Sequence, residues 1–235
     1  MLSPLFNLPS YLLYGIAGVG FTLGVALYGE FKNQKYLVYL FKPCASFAFL
    51  ALAWMGELSL ESGYGLALSS GLILSTFGDI FLLRKDHIGF SWGLSAFLLA
   101  HIAYIWAGLS NDYYPFEWGV QSSIRIMALM VAFILIGRGV YLYFKEDIPS
   151  HLQLPSLLYA IVIGLMMTSI LECAWQNQNM LMAAGALCFW CSDISVANAR
   201  FKNAPFLNRL WGLPLYYLAQ IFFALTLSPS LWINH

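Results

Sequence analysis

Residues 64–83 read YGLALSSGLILSTFGDIFLL, an apolar run in which Asp79 is the only charged residue. A helix of about 20 apolar residues is long enough to cross the hydrocarbon core of a bilayer. Comparable stretches recur at about residues 10–28, 36–55, 64–83, 88–108, 120–142, 153–172, 179–198 and 206–227. The sequence therefore predicts an all-α protein, a polytopic bundle of eight transmembrane helices.

The composition supports an integral membrane protein. Of 235 residues, 60% are hydrophobic and 9% are charged, against roughly 25% charged residues in soluble domains. The alternating segments of about ten residues that form outer-membrane barrels are absent. The first span lacks a basic leader and a cleavage pattern, so we expect it to be retained. Residues 1–235 are predicted to form one membrane domain, and no basic cluster suggests nucleic acid as a partner.

Charge is distributed unequally between alternate connections. One set is basic and carries Lys32, Lys35, Arg84, Lys85, Lys145, Arg200, Lys202 and Arg209. The other set is acidic and carries Glu57, Glu61, Asp112, Glu117 and Glu172. Because cytoplasmic connections are enriched in Lys and Arg, this pattern places the basic set in the cytoplasm and both termini on the outer face. We expect a multi-pass protein of the cell's inner (plasma) membrane.

Two acids lie inside the apolar stretches, in Gly78-Asp79-Ile80 and Ser192-Asp193-Ile194. A carboxylate at membrane depth costs roughly 2.5–3.5 kcal/mol, so such acids usually mark a functional site. Asp79 precedes Arg84 by five residues and Asp193 precedes Arg200 by seven, which places both about 7–11 Å inside the cytoplasmic boundary. Their separation by four spans suggests two parallel four-helix halves.

Other polar residues of the spans lie toward the same side as the two acids. They are candidates for substrate binding: Lys42, Tyr159, Asn198, Tyr216, Tyr217 and Gln220. For all but Lys42, a hydrogen bond between helices is an equal alternative. Lys42 could bind a negatively charged group of a ligand, extend to the interface or pair with an aspartate. His101 is placed beyond the midplane from the acids, which favours a structural role. Since the four histidines are widely spaced, we expect no metal and no cofactor.

Several short motifs, in order, resemble one family of membrane proteins. They are Lys42-Pro43, Ser75 with Gly78-Asp79, Phe90 with Gly93-Leu94, Phe97, His101 and Tyr104, then Tyr159 and Met166, Gly185 with Phe189, Ser192-Asp193, Asn198 and Phe201, and Tyr216-Tyr217 with Ala219-Gln220. In these motifs the chain resembles the YhhN, or lysoplasmalogenase, family. The resemblance implies hydrolysis of the vinyl ether bond of lysoplasmalogens, which gives a fatty aldehyde and glycerophosphocholine or glycerophosphoethanolamine. A lysophospholipid and the membrane lipid would then be its partners.

The two acids suit that chemistry. A vinyl ether is cleaved by protonation of its outer alkene carbon, and the resulting oxocarbenium ion adds water. One carboxyl group can donate the proton while another stabilises the cation and deprotonates water. Asp79 and Asp193 are therefore predicted to form a catalytic pair, with the identity of the acid left open. The alternative is a proton-coupled transporter of a lipid-like or small amphipathic substrate, in which buried acids act as relay sites. The sequence does not indicate an oligomeric state.

Overall fold

The computed structural model describes residues 9–58, 60, 62–84, 86–110, 112–202 and 206–228. Within these ranges the chain forms helices and contains no strand. The helices are α1 (Ser10–Phe31), α2 (Lys35–Trp54), α3 (Gly63–Phe81), α4 (His87–Leu109), α5 (Val120–Phe144), α6 (Ser150–Gln176), α7 (Met180–Phe201) and α8 (Phe206–Leu225). The all-α prediction is confirmed.

Helices α1 to α7 are long and apolar enough to cross a bilayer, and the chain is an integral multi-pass membrane protein. Helix α8 is 20 residues long but is not among these seven candidates. Helix α6 begins before its predicted span and contains Pro155, while α2 and α8 continue through Pro43 and Pro214. These three helices are not broken at proline. The count of eight spans and the orientation of the termini stay predictions.

The four basic connections lie at one end of the bundle, which we call the basic end. Tyr39 of α2 donates a hydrogen bond to the Leu83 carbonyl after α3. Further contacts across this end join Arg209 to Glu30, Arg200 to His87, and Lys202 to Asp147. Successive helices therefore alternate in direction, and α1, α3, α5 and α7 end where α2, α4, α6 and α8 begin.

The opposite, acidic end is held by buried contacts. The hydroxyls of Tyr64 and Thr226 lie 2.5 Å apart, and Tyr114 donates to the Thr226 carbonyl at 3.1 Å. Arg125 of α5 binds the fully buried Glu172 of α6 through Nε and Nη2. Apart from its ends, α5 is peripheral: Ser122 and Phe144 are its buried residues.

Helix packing follows a recurring pattern in the two halves of the chain. A Cβ atom on Gly71 of α3 would overlap the Tyr104 ring of α4. A Cβ atom on Gly185 of α7 would approach the Phe223 ring of α8 to 2.9 Å. In each half of the chain, a glycine of the third helix (α3 or α7) thus packs against an aromatic ring of the fourth helix (α4 or α8). This repetition is what two parallel halves would produce, although the repeat itself stays a prediction.

Candidate active site

A cavity of about 610 Å³ lies in the basic half of the bundle, and residues of all eight helices line it. It extends to the exposed residues Asn33 and Asp86 of the basic connections. Asp79 and Asp193 both line its wall. The bundle therefore places the two intramembrane acids on one cavity, as their similar depth in the sequence predicts.

Asp79 forms an ion pair inside the bundle. Its Oδ1 lies 3.1 Å from Lys42 Nζ, and its Oδ2 accepts a 2.7 Å hydrogen bond from Ser46 Oγ. The side chains of Asp79 and Lys42 are 3% and 14% exposed, so the pair is largely removed from water. Ser46 is also 3.3 Å from the Tyr217 hydroxyl. Both carboxylate oxygens of Asp79 therefore have polar partners inside the bundle.

Close packing beside Asp79 fixes the position of its backbone. A Cβ atom on Gly78 would lie 2.6 Å from the Phe97 ring of α4, a distance that no larger residue could accept without movement. Phe97 in turn contacts the Tyr216 ring, with centroids 5.7 Å apart. Tyr216 donates to the Ser75 carbonyl at 3.3 Å. Glycine at position 78 thus allows α3, α4 and α8 to meet beside the carboxylate.

Asp193 has a different set of partners. Its Oδ2 lies 3.3 Å from His101 Nε2, and its Oδ1 accepts a hydrogen bond of 3.4 Å from the Tyr159 hydroxyl. His101 is fully buried, and the Asp193 side chain is 12% exposed. Nε2 and Oδ2 are not well aligned for a hydrogen bond, yet neither has another partner among the described residues. We treat them as interacting because two buried polar atoms at this distance have no alternative.

The hydrogen bonds of His101 indicate where one proton lies. Nδ1 of its ring is 2.6 Å from the Phe97 carbonyl. A carbonyl only accepts, so Nδ1 must carry a hydrogen. If Nε2 and Oδ2 both lacked a proton, two lone pairs would face each other in a buried site. One proton is therefore expected between His101 and Asp193, bound to either atom.

The expectation that His101 lies apart from the acids is wrong. It rested on counting residues from the basic end, but side chains lean toward the N-terminus of their helix. Helix α4 begins at the basic end, so His101 leans back toward that end. Helix α7 ends there, so Asp193 leans more deeply into the bundle. The two side chains converge although their backbones differ in depth, and the alternating helix directions could have indicated this.

Three of the six predicted binding residues line the cavity, namely Lys42, Tyr159 and Tyr216. The other three do not line the cavity. Asn198 donates to Asn208 at 3.2 Å, Tyr217 donates to the Lys42 carbonyl at 3.1 Å, and Gln220 accepts from Tyr104 at 3.0 Å. These contacts correspond to the alternative interpretation, in which such residues join helices. Ser46, His101 and Arg200 are site residues that the sequence analysis did not select.

The rim of the cavity at the basic end is rich in charge. Arg84, Arg200 and Arg209 line it together with Glu30 and Asp86. The hydrogen bond from Arg84 lowers the pKa of Asp86, and the backbone N–H of Gly89 contributes to the same shift. Asp86 also caps α4 by accepting from Gly89 at 2.7 Å. The rim thus combines fixed ion pairs with additional cationic side chains.

Within the described ranges, no group of three or more His, Cys, Asp or Glu side chains is placed to hold a metal ion. Cys188 and Cys191, which have the spacing of a redox or metal motif, are both free thiols on α7. In an apolar helix, such cysteines act as small hydrophobic residues.

Fold and cavity together define a multi-pass membrane protein with two acids on a cavity inside its helical bundle. The sequence pattern of the YhhN family matches residues 37–227, and the chain belongs to this family. Lysoplasmalogenase TMEM86B of Sus scrofa is 28% identical over 171 residues, which cover 72% of this chain and 66% of that protein. For lysoplasmalogenase TMEM86A of Bos taurus the identity is 27% over 167 residues, covering 68% and 64%.

A bacterial relative, the lysoplasmalogenase of Mycobacterium bovis, is 30% identical over 132 residues, which cover 55% of this chain and 48% of that protein. The chain therefore matches two thirds or less of the length of these curated relatives. No solved structure matches the chain.

Proposed function

We propose that this protein is a lysoplasmalogenase, an intramembrane hydrolase that cleaves the vinyl ether bond of lysoplasmalogens. The observation that carries the proposal is that Asp193, which contacts His101 at 3.3 Å, lines the same cavity as Asp79. Membership of the YhhN family and the names of its curated relatives support the same activity. The products would be a fatty aldehyde and glycerophosphocholine or glycerophosphoethanolamine.

In the first step, Asp193 with His101 donates a proton to the outer alkene carbon. The electron pair of the double bond forms the new C–H bond, and the ether oxygen shares the positive charge of the oxocarbenium ion. This step needs a proton held near an apolar alkene, in a site that limits competing water. A buried pair that shares one proton meets both needs, and acid catalysis of this kind contributes about 10²–10⁴-fold.

In the second step, water adds to the oxocarbenium carbon and returns one proton to Asp193 with His101, which gave up its proton in the first step. The resulting hemiacetal then breaks its bond to the glycerol oxygen. The proton of the hemiacetal hydroxyl passes to that oxygen, which gives the aldehyde and the free glycerol hydroxyl, so protons balance over the cycle. We assign stabilisation of the cation and orientation of water to Asp79, whose charge is maintained by Lys42 and Ser46.

The other predicted site residues receive more limited roles in this proposal. Tyr159, which contacts Asp193, orients the acid, and Tyr216 forms the wall beside Asp79. Asn198, Tyr217 and Gln220 hold the helices behind the site through their hydrogen bonds. The apolar part of the cavity wall, including Phe133, Leu94 and Ile163, would accept the single hydrocarbon chain. With eight spans and the basic end in the cytoplasm, the substrate would come from the inner leaflet.

The test uses the purified full-length protein and two lipids that differ in one bond. A lysoplasmalogen should release fatty aldehyde, while the analogue with a saturated ether should remain intact, because it has no alkene to protonate. Hydrolysis of both lipids would contradict the mechanism. If neither lipid is cleaved while a pH gradient drives uptake of an amphipathic solute into proteoliposomes, the transporter alternative is correct.

A further inference from the structure

Arg200 differs from most other cationic side chains on the cavity wall. Lys42, Arg84 and Arg209 each pair with an acid, namely Asp79, Asp86 and Glu30. Arg200 and Lys35 line the same cavity, and among the described residues neither pairs with an acid. The positive charge of Arg200 is therefore available to an anionic group of a ligand.

The guanidinium of Arg200 is held in place by neutral groups. Its Cζ lies 4.2 Å from the centre of the Phe90 ring, and Nη2 is 3.1 Å from His87 Nδ1. Because arginine only donates, Nδ1 of His87 accepts this hydrogen bond. Arginine has five N–H donors, so the remaining donors can bind two oxygens of one phosphate at the same time. The Arg200 side chain is thus held in position while it keeps free N–H donors and a positive charge that can bind an anion.

We propose that Arg200 binds the phosphodiester of the substrate, a role that rests on the proposed function and assigns the phosphate to a residue other than Lys42. Lys42 is less suited because Asp79 already neutralises its ammonium at 3.1 Å. Phosphate binding by Arg200 places the headgroup at the basic end and directs the hydrocarbon chain into the bundle. The vinyl ether then lies between the two, at the depth of the acids.

The spacing along α7 fits this placement. Asp193 and Arg200 are seven residues apart on one helix, so they share a face and their Cα atoms are about 10 Å apart along the axis. On α4, His101 contacts Asp193 and Phe90 contacts Arg200. These two residues are eleven positions apart, which is about 16 Å along the helix axis. In a lysoplasmalogen, roughly seven bonds separate phosphorus from the outer alkene carbon, about 9 Å when extended. With a contact of about 3 Å at each end, the ligand can join groups about 15 Å apart. This distance lies between the separations of about 10 Å on α7 and about 16 Å on α4.

The test compares a lysoplasmenylethanolamine with a 1-alkenylglycerol, which has the same vinyl ether but no phosphate. The variant R200Q should raise KM for the phospholipid by at least about tenfold, the effect of losing one charged contact, while kcat changes little. For the phosphate-free substrate, kcat/KM should remain within about twofold of the wild type. R200K, which keeps the charge but not the planar fork, should give an intermediate KM.

The control variant is K145Q, which removes a positive charge from another basic connection. Lys145 is exposed and does not line the cavity, so both substrates should behave as with the wild type. Equal loss of kcat/KM for both substrates in R200Q would overturn the proposal and indicate a structural role for Arg200. Failure of the wild type to cleave either substrate would instead contradict the proposed function.

Inhibition gives a second measurement that does not depend on R200Q. Glycerophosphoethanolamine should inhibit cleavage of the phosphate-free substrate by the wild type competitively, and its inhibition constant should rise in R200K. If inorganic phosphate inhibits as strongly as glycerophosphoethanolamine, the site takes free phosphate, and the assignment to the substrate's phosphodiester is wrong. Unchanged inhibition in R200K would also contradict the proposal.

Discussion

His101 Nε2 on α4 lies 3.3 Å from Asp193 Oδ2 on α7, and the other ring nitrogen of His101 binds the Phe97 carbonyl. The histidine therefore connects the acid to the backbone of a neighbouring helix. With a hydrogen on Nδ1, Nε2 of the neutral ring has a lone pair that can accept a hydrogen bond from the acid. For this reason we treat Asp193 and His101 as one unit in the catalytic proposal.

Loss of either member of this unit should abolish most activity. D193N and H101Q should each lower kcat for aldehyde release by about 10²–10⁴-fold, because each removes the positioned proton donor. The double variant should be no slower than the slower single variant, since residues that act together are not additive. The measurement is aldehyde release by purified protein, with folding checked by gel filtration in detergent.

D147N is the matched control for this prediction. Asp147 pairs with Lys202 in a basic connection and does not line the cavity. This variant loses the same charge as D193N and should retain wild-type turnover. If the losses from D193N and H101Q multiply in the double variant, the two residues act independently and the shared proton is not the catalytic feature.

Removing one partner of the ion pair between Lys42 and Asp79 should destabilise the protein, because the other partner is left as an unpaired buried charge. K42M leaves the Asp79 carboxylate buried without its cation, which should lower the free energy of unfolding by about 3–5 kcal/mol. K42M/D79N should recover much of this loss, because no unpaired charge remains. Thermal unfolding in detergent measures both effects.

The exposed ion pair of Arg84 and Asp86 provides a comparison for the loss of stability in K42M. Arg84 and Asp86 have side chains that are 60% and 47% exposed, so R84Q should have little effect on thermal stability. If K42M is as mild as R84Q, Asp79 does not depend on Lys42 for its charge, and its assigned role as a permanent carboxylate would be untenable.

The glycine beside Asp79 should not tolerate a methyl group. In G78A the new Cβ would meet the Phe97 ring at 2.6 Å, and relief of this overlap should cost about 1–3 kcal/mol. Movement of Phe97 would also shift the carbonyl that binds His101, so turnover should fall. G139A on α5 is the control, because its Cβ would meet nothing within 4 Å and alanine favours a helix by up to about 1 kcal/mol. Equal stability of the two variants would contradict the close approach of α3 and α4.

The pair between Arg125 and Glu172 should affect stability without affecting catalysis. R125M leaves the fully buried Glu172 without its bidentate partner. Because Arg125 is itself 34% exposed, we expect a smaller loss of stability than for K42M. The pair lies at the acidic end, so kcat and KM per folded molecule should not change. R125M/E172Q should restore part of the stability. A changed KM would indicate that the two ends of the bundle are coupled.

Much of the fold could be predicted because membrane insertion limits the choices. Apolar stretches of the length needed to cross a bilayer fix helices and their approximate ends, and backbone groups in lipid must be satisfied within the helix. The predicted span 88–108 thus corresponds to α4. The start of α6 was less predictable, because Ser150 and His151 are polar and precede the apolar stretch that defines the predicted span 153–172.

Individual site contacts were harder to predict than the fold. The depth of Asp79 and Asp193 follows from counting residues to the basic connections, and both acids line one cavity. Their partners depend on helix packing and side-chain direction, which such counting ignores. Thus His101 was placed too far away. Lys42 was open to several interpretations, and only the arrangement of α2 beside α3 shows its contact with Asp79.

The two ends of the bundle are held by different kinds of contact. At the basic end, partly exposed pairs such as Lys202 with Asp147 join the helices, and dissolved ions screen such pairs. At the other end, the hydroxyls of Tyr64 and Thr226 meet in a fully buried contact that ions do not reach. Rising ionic strength should therefore weaken the ion pairs around the mouth of the cavity, whereas the contact between Tyr64 and Thr226 should not respond to it. Salt should thus loosen the side from which a lipid would reach the acids.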